Sequence, residues 1–116
     1  KAAMIERAVE GVLENLDPST AGLQLEIVAE AARNPHIAGI VQAADRQCRD
    51  SLAATVRAQR QAAGHQDSEA TLAGMVEAIS AMFEGLRIRA IRNPDIDRDV
   101  VVRMFRRMVN DLLTHT

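Results

Sequence analysis

The sequence predicts an all-α fold, an antiparallel helical bundle of about five to six helices. Three observations lead there. Apolar residues recur at helical spacing along most of the chain. The composition favours helix: alanine, the aliphatics and Met dominate, while Phe83 and Phe105 are the only aromatic residues of the kind strands draw on. Clear helix breaks separate the periodic runs: "LDPST", "ARNPHI", "AAGHQDSE" and "IRNPDID".

Residues 2–16 place Ile5, Val9, Val12 and Leu16 on one helical face. Asp17 then suits an N-cap, and Pro18 suits a first turn, where its missing N–H costs nothing. The second helix, about 18–33, is apolar nearly all round through Leu23, Leu25, Ile27, Val28, Ala29, Ala31 and Ala32. Glu26, Glu30 and Arg33 form its narrow polar strip, and such a helix belongs in the middle of a bundle. Pro35 ends it by disfavouring helical geometry at Asn34, which can cap the next helix.

The third helix runs to about Ala63 on Ile37, Ile40, Val41, Ala44, Cys48, Leu52 and Val56. Asp45 with Arg49, and Arg46 with Asp50, pair at i, i+4 on its outer face. Gly64 reads as the residue that closes this helix, and Asp67 or Ser68 as the next cap. The fourth helix, about 68–91, carries a core stripe of Leu72, Met75, Val76, Ile79, Met82, Phe83 and Leu86. Beside it runs a stripe of small residues, Gly74, Ala78, Ala81 and Gly85. Asn93 closes that helix, and Asp95 or Asp97 caps the last, about 98–113. This final helix is apolar on two adjoining faces: Val101, Met104, Met108 and Leu112, then Val102, Phe105, Val109 and Leu113.

Arg-Asn-Pro-x-Ile occurs twice, at residues 33–37 and 92–96, but the apolar register upstream of the two copies does not match. The echo is shared punctuation and no duplication.

At 116 residues the chain is one domain, able to bury a real core. No apolar run spans a bilayer, and a single cysteine makes a reducing cytoplasm the expected setting. The net charge of −2 argues against the whole domain binding nucleic acid. Residues 86–116 carry 7 basic and 4 acidic groups, yet no aromatics interleave them, so they read as a solvated helix face. The chain opens at Lys1 in mid-pattern and reads as part of something longer.

Reaction chemistry is hard to place. Bundle metal sites use Glu-x-x-His pairs, and the sequence has none; His36, His65 and His115 have no ligand spacing. Cys48, between Ala44 and Leu52, reads as a core residue, since spacing nominates no base to activate it. There is no Gly-rich phosphate loop and no Ser-His-Asp set. No enzyme, metal or cofactor is expected. Glu26 and Glu30 remain open: they either face an internal cavity, or mark where the helix meets solvent or an Arg.

"LQLEIVAEAARNPHI", the long helix ending "RQAAG", and "FEGLRIRAIRNPDID" before a closing helix together resemble the C-terminal domain of TetR-family transcriptional repressors. The family's Glu-x-x-x-Glu-Ala-x-Arg-[Asn/Asp]-Pro run is met by Glu26, Glu30, Ala31, Arg33, Asn34 and Pro35, and its late Gly-Leu pair by Gly85 and Leu86. "KAAMIE" is similar to the junction that comes after the family's DNA-reading helix.

The resemblance implies that residues 1–116 are a ligand-sensing and dimerisation domain whose helix-turn-helix partner domain is absent here. Operator DNA would then be bound only through that missing domain. It further implies a homodimer in which the last two helices form a four-helix interface. The expected interface residues are Gly74, Ala78, Ala81, Gly85, Val101, Met104, Phe105, Met108 and Leu112. The alternative for the small stripe is a neighbour within the chain. A small-molecule effector would be held by Leu23, Glu26, Ile27, Glu30, Met75, Ile79, Met82 and Phe83, unless these simply fill the core. A stand-alone helical adaptor for a protein partner is the other functional class.

Overall fold

The computed structural model describes residues 18–115, which form four helices: α1 (Pro18–Ala31), α2 (Pro35–Ala62), α3 (Glu69–Arg92) and α4 (Arg98–Thr114). No strand occurs among the described residues. The helix predicted over residues 2–16 and the Asp17 cap lie outside them.

The helix ends are set by local chemistry. The Asn34 side-chain oxygen accepts from the backbone N–H groups of His36 (3.1 Å) and Ile37 (3.4 Å), satisfying donors that the first turn of α2 leaves free. At the other end, Gly64 takes φ +86°, a conformation that L side chains rarely adopt. Its N–H bonds to the Gln61 carbonyl and that of His65 to the Arg60 carbonyl, both at 3.0 Å, which is the Schellman closure. Ser68, rather than Asp67, caps α3 by accepting from the Thr71 N–H at 3.1 Å. Asp97, rather than Asp95, caps α4 through the Val100 N–H at 3.2 Å.

The core lies where α2, α3 and α4 meet. Val56 of α2 packs with Leu72, Met75, Val76, Ile79, Leu86 and Ala90 of α3, and with Phe105, Val109 and Leu113 of α4. The two Phe rings join α3 to α4, with the centroids of Phe83 and Phe105 4.7 Å apart and the planes tilted by 47°. Helix α2 touches the other three, and α1 leans on α2 and α3.

Two expectations are corrected here. Helix α1 is not enclosed within the described residues: Leu23 and Val28 are each 56% exposed, while Ala21 is buried. An apolar circumference needs neighbours on every side, and α2 and α3 supply only part of them. Cys48 is exposed, as are all of residues 42–51, because the first half of α2 reaches past the core that its second half helps to build.

The resulting body measures 42 × 35 × 19 Å, about two helices thick. Its radius of gyration is 15.2 Å, against about 13 Å for a compact domain of about 100 residues. A body so thin leaves helix faces open among the described residues.

Candidate functional site

One open face belongs to α3. Gly74, Ala78 and Ala81 are exposed and Gly85 is half-buried. A Cβ added at Gly74 or Gly85 would meet nothing within 4 Å. At about 100° per residue, this strip is centred about 135° around α3 from Leu72, Ile79, Leu86 and Ala90. The strip therefore faces away from the centre of the core stripe while adjoining its Met75 and Met82 edge, and a Cβ added at either glycine of the strip would meet no neighbour within 4 Å.

Helix α4 divides in the same way. Val102, Phe105, Val109 and Leu113 turn inward and are buried. On the adjoining face Met104 and Met108 are exposed, while Val101 and Leu112 are half-buried at the core edge. Of the expected interface residues, Phe105 thus packs inside its own chain against Phe83. The remaining α4 residues named for the interface keep part of their surface open.

The expected effector residues are not gathered into one place. Met75 and Ile79 are buried in the core, with Met82 and Phe83 packed against it. Leu23, Glu26 and Ile27 are exposed. Glu30 accepts from Arg33 Nη2 at 2.9 Å and from Asn34 Nδ2 at 3.4 Å, so its carboxylate fastens the end of α1. On the helical wheel these α1 residues lie opposite the side that meets α3.

That inner side forms a groove instead. Ala21, Gln24, Leu25 and Val28 of α1 face Glu84, Arg87 and Ile88 of α3 across about 130 Å³. Sequence reading missed this set because a helix apolar all round presents several stripes of the same spacing, and nothing local ranks them. Gln24, Glu84 and Arg87 give an otherwise aliphatic groove three polar groups able to orient a bound molecule.

A second polar feature also escaped the sequence. Arg60 is 2% exposed. It donates from Nε and Nη2 to the two Asp67 oxygens at 2.8 and 2.9 Å, and from Nη1 to the Leu112 carbonyl at 3.2 Å. The paired guanidinium holds the Asp67 carboxyl below its ordinary value, chiefly through this hydrogen bonding. His65 Nε2 lies 3.0 Å from the Thr114 carbonyl. Nearby, Arg57 and Glu69 make a second two-bond pair at 2.6 and 2.8 Å, but with 43% and 78% of their side chains exposed it is largely screened by water. An Arg in the polar last turn of a helix carries no signal of burial in the sequence.

No group of three or more His, Cys, Asp or Glu residues able to hold a metal ion occurs among the described residues. No described helix is long and apolar enough to cross a membrane. What the fold offers among the described residues is open helix faces and a groove. The family comparison makes this specific: the chain belongs to the TetR family, matching the BetI-type transcriptional repressor C-terminal domain over residues 1–114. That family is regulatory and non-enzymatic. No curated protein and no solved structure matches the chain.

Proposed function

We propose that residues 1–116 are the effector-sensing and dimerisation domain of a one-component, cytoplasmic bacterial repressor. In this reading the operator is read by a helix-turn-helix domain outside these residues, and two copies meet through α3 and α4. The observation that carries the reading is the open small-residue strip of α3, with the exposed Met104 and Met108 of α4 as further apolar surface without cover.

Two glycines inside a helix cost about 1 kcal/mol each relative to Ala, so a compensating contact is expected. A strip without side-chain bulk lets a second helix come closer than the usual separation of about 8–10 Å. Met104, Met108, Val101 and Leu112 would extend the contact to the roughly 1,500 Å² of a standard interface. The effector would occupy the groove between α1 and α3. By binding one arrangement of the helices better than another, it would shift the population that presents the DNA-reading domains correctly.

Gly85→Leu tests the interface. Its added bulk should wedge the contact apart and give monomer in sedimentation at micromolar concentration. Gly85→Ala, which adds one methyl where nothing lies within 4 Å, should keep the fold stable. A Gly85→Leu dimer with unchanged dissociation constant would place the interface elsewhere.

A further inference from the structure

We infer that Arg60 is a positioning residue that sets α4, and with it the dimer face, by latching the C-terminal turn of α4 to the turn at the end of α2. The inference rests on the dimer reading above. The last four carbonyls of any helix lack partners within it. In α4 two of these, at Leu112 and Thr114, are met by side chains from the end of α2 and its turn: Arg60 at 3.2 Å and His65 at 3.0 Å.

The geometry leaves the latch little freedom. Both Asp67 oxygens grip the Nε/Nη2 edge of the guanidinium, which fixes the plane of the group and directs Nη1 to the Leu112 carbonyl. Asp67 is in turn placed by the Gly64 closure of α2 and by the Ser68 cap beside it. With Arg60 and Asp67 side chains only 3% and 12% exposed, water competes weakly for these bonds. A cation at a helix C-terminus also opposes the helix dipole favourably.

Leu112 joins the latch to the proposed interface. Its carbonyl takes Arg60, while its side chain stands at the core edge on the same α4 face as Met104 and Met108. At its other end α4 is tied to α3 through residues 93–97. A helix held at both ends cannot rotate on its core without breaking one hold. Any shift of α2, which also touches α1 beside the groove, therefore reaches the α4 face through Arg60.

The test uses residues 1–116 as wild type, Arg60→Met, Arg60→Lys and Asp67→Asn, each measured by amide hydrogen exchange and by sedimentation. Arg60→Met should lose protection chiefly over residues 111–115 and weaken the dimer roughly tenfold, within the usual range for coupling between sites. Arg60→Lys, which keeps the charge but not the fork, should restore part of both. If Arg60→Met does not fold, Asp67→Asn carries the same two readouts. A lower Tm with an unchanged dissociation constant and unchanged protection at residues 111–115 would reduce Arg60 to a stabilising residue and end the proposal. A monomeric wild type would remove the dimer reading, and the exchange data would then decide the latch alone. Loss confined to the last turn of α4 supports it, and loss spread evenly over α4 contradicts it.

Discussion

Asp67 stands in the turn beyond a helix end, yet it is 12% exposed at its side chain and serves a buried Arg. Its carboxyl is held below the ordinary 3.8 by the Arg60 hydrogen bonds first, and by the charges of Arg60 and His65 after them. A carboxylate whose folded-state value is depressed stabilises the fold above its unfolded value, and that contribution disappears as pH falls through the folded value. The Tm should therefore drop as pH is lowered below about 4. In Asp67→Asn the Tm should already be lower at neutral pH, and part of the acid-side drop should be missing. An acid limb of unchanged steepness in that variant would show that other carboxylates carry it. Glu69 is also held below its usual value by Arg57, but at 78% exposure it should contribute little to the same limb.

The elements were legible wherever their ends depend on nearby residues. Asn34, Pro35, Gly64 and Asn93 act on groups within a few positions, so their types alone mark the stops of α1 and α2 and the end of α3. The choice between Asp67 and Ser68 was not local. Asp67 is drawn off by Arg60 on the far side of the turn, which leaves Ser68 to cap α3. The orientation of α1 was not legible either, since Gln24, Leu25 and Val28 have the same helical spacing as the residues on its other sides and only the position of α3 distinguishes them. The Gly64 closure gives a direct check. Gly64→Ala forces a side chain into φ +86° with open space around it, so backbone strain is the whole effect, about 1–2 kcal/mol. Denaturant unfolding should show that loss with an unchanged m-value, and a neutral result would mean the turn can relax.

At the largest scale the body is a slab 19 Å thick, with its core where α2, α3 and α4 meet and with open faces on α3 and α4 among the described residues. Its family was legible from helix order and a few motif letters, because the chain matches over residues 1–114. The groove between α1 and α3 was less so: a pocket formed by two helices depends on their relative rotation, which composition does not encode. A thermal-shift screen addresses the groove, since a ligand at about 100 times its dissociation constant adds about 2.7 kcal/mol. Val28→Glu and Ile88→Glu should abolish that gain for a groove ligand, and a gain surviving both would place the site elsewhere.

The claim on which the rest depends is that two chains cover each other's α3 and α4 faces. Sedimentation equilibrium of residues 1–116 at micromolar concentration tests it most directly. A species of twice 12.6 kDa, converted to monomer by Gly85→Leu and by Met104→Glu with Met108→Glu, is the expected result. A wild type that sediments as a single 12.6 kDa species across that range would contradict it.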